Sequence, residues 1–176
     1  MIFIGGIHGV GKTWFCKETY DLTGIPSYSA SSLISEGKGV RFPVNKNIQG
    51  IDDNQLVLIS AIKELKASSN RFLIDGHFCL LDKSGHIVRI NKNTFSAIAP
   101  DGILVLTEAP TVIAERRLTR DGVISNLSEI MEFQHEEITY AQEIAMDMNI
   151  PIAIVSGGGH HVDGYEFITR VMGGVR

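Results

Sequence analysis

The chain has 176 residues, 44% of them hydrophobic and 20% charged, a composition that buries a core and excludes a disordered chain. Sixteen Lys and Arg against twenty Asp and Glu leave a formal net charge of −4, so no basic excess marks a nucleic-acid or membrane-surface binder. Two cysteines, Cys16 and Cys79, exclude a disulfide framework and a cysteine-built zinc site.

The opening Met1-Ile-Phe-Ile-Gly-Gly has no positively charged export region, and no apolar run reaches the roughly 20 residues of a membrane span. The expectation is a chain that is neither exported nor anchored and works in a reducing cytoplasm. Five apolar runs of strand length follow one another at residues 1–4, 25–28, 72–74, 103–106 and 152–155. Because helical stretches separate them, the sequence predicts an α/β fold with a parallel sheet covered on both faces. Val57, Leu58, Ala61, Ile62 and Leu65 form one helical stripe, and Ile130, Phe133, Ala141, Ile144 and Met148 form another. Asp53 or Asn54 caps the first helix and Ser125 or Asn126 the second, while Asn149 and Pro151 close the latter.

Residues 78–90 break the alternation and predict a hairpin around the turn Asp82-Lys-Ser-Gly85, inserted after the central strand. Residues 35–49, with glycines, lysines and Pro43, follow neither period and read as a mobile connection. Without repeat or linker, residues 1–176 read as one domain.

Gly6-Ile-His-Gly-Val-Gly-Lys-Thr13 fits G-x-x-x-x-G-K-[ST], with a strand before it and a helix-compatible run after it. Glycines let such a loop wrap so that successive N–H groups and a helix N-terminus hold phosphate oxygens. Gly6, His8, Gly9, Val10, Gly11, Lys12 and Thr13 are therefore the expected nucleotide-binding residues. Lys12 serves the β- and γ-phosphates and Thr13 Mg²⁺. The His8 imidazole is read as a phosphate-edge or solvated group with no catalytic role. The dinucleotide pattern G-x-G-x-x-G is absent from this turn, which argues against NAD or FAD.

Phosphoryl transfer also needs a carboxylate at a strand end and nearby positive charge. Asp75 follows the run at residues 72–74 and emerges at its C-terminal end, where it either holds a Mg²⁺-bound water or takes a proton from an acceptor hydroxyl. An Asp-Gly turn is the plain alternative. His77 either orients Asp75, touches substrate or is structural. Arg116 and Arg120 lie four apart on a helix starting near Pro110, so they share a face and converge on one phosphate, or merely complement the helix dipole. Glu132, Glu136, Glu137 and Glu143 read as a solvated helix face. Asp52 and Asp53 read as a helix start, and His160 and His161 as a loop without a third metal ligand.

These residues resemble the P-loop nucleoside monophosphate kinase-like proteins, especially the archaeal-type adenylate kinases and related small bacterial ATP-binding proteins. The likeness rests on the glycine loop, Leu73-Ile-Asp-Gly-His77, the Arg-Arg-Leu-x-Arg-Asp run at 116–121, and Tyr140-Ala-x-x-Ile-Ala145. It implies a sheet of order 2-3-1-4-5, a monophosphate-binding arm at 29–65 bearing Ser29 and Ser31, and an arginine-bearing lid at 116–125. It also implies that the loop 156–159, Gly157 included, lies by the adenine of ATP. Such kinases place an arginine just after the Asp-Gly strand end and another early in the arm. Neither stands here, and Arg41 and Lys38 are the substitutes.

The leading expectation is ATP- and Mg²⁺-dependent phosphoryl transfer to a nucleoside monophosphate, with Lys12, Asp75, Arg116 and Arg120 catalytic and Ser29, Ser31, Arg41 and His77 holding the acceptor. The partners are then a nucleotide donor and a small-molecule acceptor, with neither nucleic acid nor membrane. The alternatives are an ATP-driven switch acting through a protein partner, and a kinase of a non-nucleotide metabolite.

Overall fold

The computed structural model describes residues 1–37, 52–69, 71–157 and 161–173. Strand β1 (Ile2–Gly5) is buried along its whole length, as an apolar run without alternation must be when helices cover both faces of a parallel sheet. A glycine loop leads into α1 (Lys12–Thr23), which stops at left-handed Gly24, whose N–H reaches the Tyr20 carbonyl. Strand β2 (Ser27–Ser29) and helix α2 (Ala30–Gly37) follow, then α3 (Asp53–Ser68). Next come β3 (Leu73–Asp75), the hairpin strands β4 (Cys79–Leu81) and β5 (Ile87–Arg89), and α4 (Lys92–Ile98). The chain continues through β6 (Gly102–Thr107), α5 (Pro110–Asp121), α6 (Leu127–Met148), β7 (Ile152–Ser156) and α7 (Val162–Met172).

The five-stranded parallel sheet has the order β2-β3-β1-β6-β7, and β4 pairs only with β5, antiparallel. Because the hairpin takes the fourth and fifth labels, the last two core strands are numbered β6 and β7. In core-strand terms the order is the expected 2-3-1-4-5. The apolar core runs through Phe3, Ile4, Leu73, Ile74, Leu104 and Val105 in the sheet, with Phe15, Ile62, Phe95, Ala141 and Phe167 pressed on it from the helices. Parallel pairing puts the C-terminal ends of β1, β2 and β3 at one rim, in the registers Ile4 to Asp75 and Ser29 to Asp75. The glycine loop, Asp75 and Ser29 are therefore neighbours by topology.

Boundaries moved where capping outvoted hydrophobicity. Helix α3 is capped by Asp52, whose Oδ1 accepts the Gln55 N–H at 2.9 Å, one residue before the expected Asp53 or Asn54. Asn126 caps α6 through Ser128 N–H, and Asn149 ends it in the left-handed region. The second strand sits at residues 27–29 instead of 25–28, because the pair Pro26 and Leu73 starts the ladder. The hairpin closes over Asp82, whose Oδ1 accepts from Ser84 and His86 N–H, with Gly85 at φ 83°. Helix α2, serine-rich and eight residues long, carries too little periodic signal to be read from sequence.

Candidate active site

Three glycines shape the loop: Gly6, Gly9 and Gly11 take φ values of 136°, 87° and 109°, which L side chains rarely adopt. At Gly6 a Cβ would also stand 2.7 Å from the Leu106 carbonyl oxygen. Lys12 opens α1, yet its side chain is only 7% exposed. Its Nζ donates to the Gly6 carbonyl at 2.5 Å and the Ile7 carbonyl at 3.4 Å, lies 3.3 Å from His77 Nε2, and faces Asp75 Oδ1 at 3.9 Å. Burial pushes the Lys12 pKa down, and the carboxylates of Asp75 and Glu137 act against that.

Asp75 ends β3 beside Ile4. Burial raises its pKa and the Lys12 ammonium opposes the rise, so the pair is held at the bottom of the site with neither charge fully solvated. His77 is pushed down to about 3, first by burial and then by the charge of Lys12. It is a neutral imidazole at ordinary pH, tilted against the His8 ring with centroids 4.9 Å apart.

Glu137 corrects the expectation of a solvated acidic face: its side chain is fully buried. Its Oε1 accepts Gly6 N–H at 3.0 Å and Phe78 N–H at 2.9 Å, and its Oε2 accepts Cys79 N–H at 2.7 Å. One carboxylate thus ties the start of the glycine loop to the chain just past His77. Burial raises its pKa, while these three N–H donors act to lower it. The missed signal was its register, since position 137 continues the Ile130, Phe133, Ala141 and Ile144 stripe.

The arginines divide their work. Arg116 donates to the carbonyls of Gly9 at 3.2 Å and Val10 at 3.0 Å and pairs with Glu108 at 3.2 Å. Arg117, which the four-residue spacing passed over, donates twice to the His8 carbonyl, at 3.0 and 2.8 Å. Arg120 pairs with its neighbour Asp121 instead of joining Arg116 on one centre. Helix α5 therefore buttresses the outer side of the loop.

A cleft of about 770 Å³ collects His8, Gly9, Gly11, Lys12, Thr13, Asp75 and His77. Ser29, Ser31, Arg116 and Arg120 also line it, and the Ser29 and Ser31 hydroxyls are 2.8 Å apart. Gly6 and Val10 stand behind the lining, Gly6 against the Leu106 backbone and Val10 in the core. Gly157 is not among the cleft residues: its N–H bonds the Thr107 carbonyl at 2.7 Å, and a Cβ there would meet the Glu108 carboxylate at 2.5 Å. Arg41, Lys38 and His160 lie outside the described residues. His161 packs against Trp14, Phe15 and Tyr165. Trp14 also lines the cleft, and no periodic signal had singled it out.

The parallel sheet, the left-handed glycine loop and the carboxylate one strand away define a P-loop fold of the kinase-like kind. A family model described as an AAA domain matches residues 5–134 of the 176, and the chain belongs to that family. The fold is similar to a gluconokinase from Sinorhizobium meliloti, at 16% identity and TM-score 0.53, covering 97% of this chain and 90% of the other. It is also similar to a sugar kinase from a Janibacter species, at 13% identity and TM-score 0.53, covering 97% and 92%. A third likeness is to an uncharacterized protein from Eubacterium ventriosum, at 14% identity and TM-score 0.53, covering 96% and 95%. At these identities the likeness is one of fold. No curated protein matches the chain. No helix among the described residues is long and apolar enough to cross a membrane.

Proposed function

We propose that the chain transfers the γ-phosphoryl group of ATP, with Mg²⁺, to a small-molecule acceptor, and that the acceptor belongs to the nucleoside and nucleoside monophosphate class. The observation that carries this reading is the single cleft in which the phosphate loop, Asp75 and the Ser29–Ser31 pair face one another. Loop N–H groups and the α1 N-terminus hold the polyphosphate. Lys12 exchanges its carbonyl partners for phosphate oxygens, and Arg116 and Arg120 supply further positive charge from α5. Thr13 and Asp75 offer the hard oxygen donors that Mg²⁺ accepts, and this fits an ion held by one or two side chains plus phosphates. When bound, Mg²⁺ would offset the negative charge of the polyphosphate.

Asp75 takes the proton of the acceptor oxygen as that oxygen bonds to the γ-phosphorus and the bond to ADP breaks. A hydroxyl acceptor needs this step. A monophosphate acceptor attacks through an oxygen already largely ionised, so there Asp75 has no proton to take and would serve only to hold the metal. An assay that follows ADP release against a panel of nucleosides, nucleoside monophosphates and sugars decides the matter. Turnover that rises with one acceptor is the expected result. ATP hydrolysis indifferent to all of them would remove the transferase reading.

A further inference from the structure

We propose that the His8 imidazole takes a proton from solvent as ATP enters the cleft and, as an imidazolium, holds the γ-phosphoryl group during its transfer, which makes His8 a further catalytic residue. The inference rests on the phosphotransfer reading and adds a proton to its donor step. His8 stands in the glycine loop four positions before Lys12 (12 − 8 = 4), and both residues line the cleft. The His8 ring lies against the His77 ring, with centroids 4.9 Å apart, and His77 follows Asp75 by two positions (77 − 75 = 2). The imidazole therefore stands where the phosphate loop meets the strand end that carries Asp75. A phosphoryl group passing from donor to acceptor crosses this gap.

The two histidines are placed for different work. His77 Nε2 lies 3.3 Å from the Lys12 ammonium, a group that only donates, so this nitrogen accepts and is already engaged. The His8 side chain is exposed, and its ring has no hydrogen bond among the described residues, so both of its nitrogens are open to an incoming group. Its backbone is anchored all the same: Arg117 donates twice to the His8 carbonyl, at 3.0 and 2.8 Å. An open ring on an anchored residue offers a hydrogen-bond donor with little loss of freedom on binding.

The surrounding charges set its resting state. Partial burial, then Lys12 of α1 and Arg120 and Arg117 of α5, hold the His8 pKa below the ordinary 6.5, and Asp121 acts the other way. The neighbouring His77 ring is neutral. Before nucleotide arrives, His8 is therefore mostly neutral at pH 7. A polyphosphate reverses the balance, because several negative charges arrive among the same cations and an opposite charge at a few ångström favours the imidazolium. The ring N–H then donates to a γ-oxygen, and such charge-assisted bonds are about twice as strong as neutral ones. The proton is held and not transferred. It stays on nitrogen while the bond from the γ-phosphorus to ADP breaks and the bond to the acceptor oxygen forms, and it returns to solvent when the products leave.

The test counts protons. The full chain is titrated calorimetrically at pH 7 with ATP and with ADP, each with Mg²⁺ and without acceptor, in buffers of different ionisation enthalpy. ATP should bring about half a proton or more onto wild-type protein, and ADP, which lacks the γ-group, much less. His8→Gln should take up almost none with ATP and bind it about tenfold more weakly. Protons bound by the nucleotide itself cancel between variant and wild type, and the heat of ATP association shows that the variant is folded. His8→Asn, a second neutral substitution, should behave alike. ATP binding without proton uptake, equal uptake with ADP, or uptake that survives in His8→Gln would each overturn the proposal and leave the phosphotransfer reading standing. Absence of ATP binding by wild-type protein would overturn that reading and the proposal together.

Discussion

The two ends of the site are built by opposite strategies. At the phosphate end, the proposed recognition falls on eight consecutive residues and on main-chain N–H groups, whose positions depend on backbone shape and not on side-chain identity. At the other end, Ser31, Gln55, His77 and Thr94, which line a small cavity beside the cleft, come from four separate stretches of the chain and meet only through the fold. Catching a phosphate chain is a local property that many relatives can share. Choosing the molecule that receives the phosphoryl group depends on long-range packing, and it can change one residue at a time without disturbing the loop.

The sharpest way to break this contrast is Lys12→Ala. It should lower turnover by about a thousandfold, as loss of a charge aimed at the migrating group does, and leave acceptor binding within about twofold. A matching loss at both ends, read by steady-state kinetics and calorimetry, would mean that the two ends are one cooperative unit. Glu137→Leu tests the physical link between them. It strips the acceptor from Gly6, Phe78 and Cys79 N–H and should cost about 3 kcal/mol in urea unfolding. Glu137→Gln, which keeps one acceptor oxygen, should cost about half that.

A smaller change sharpens the donor side alone. Arg117→Ala removes both bonds to the His8 carbonyl and should weaken ATP about fivefold, with no change in acceptor binding. A last prediction concerns pH. His77 has its pKa pushed down to about 3 from an ordinary 6.5, so between those values the unfolded chain binds a proton that the folded chain refuses. Stability therefore falls as pH drops through that window. His77→Gln should flatten this acid limb in denaturation curves taken from pH 7 to pH 4.

The sequence made the phosphate end legible because its chemistry is written contiguously: the three φ-positive glycines, Lys12 and Thr13 fall within one motif. The strand runs and the hairpin were legible for the same local reason, as was the order of the core strands through the family likeness. Glu137 was not, because an acidic residue in an acidic helix looks solvated until its register against Phe133 and Ala141 is counted. Arg117 carries no separate signal beside Arg116, since a spacing of four favours Arg120 and says nothing about which guanidinium meets a loop carbonyl. Gln55 and Thr94 carried no signal, because a shared cavity exists only after the chain has folded around it.

The contacts of Lys12 have a consequence for affinity. Its ammonium already spends hydrogen bonds on the Gly6 and Ile7 carbonyls, so an arriving polyphosphate competes with the protein's own oxygens for the same cation. Capture is then a swap of partners instead of a simple addition. On the proposed function, the net gain would be smaller than the bare attraction between ammonium and phosphate, and release of the product nucleotide would be eased by the same margin.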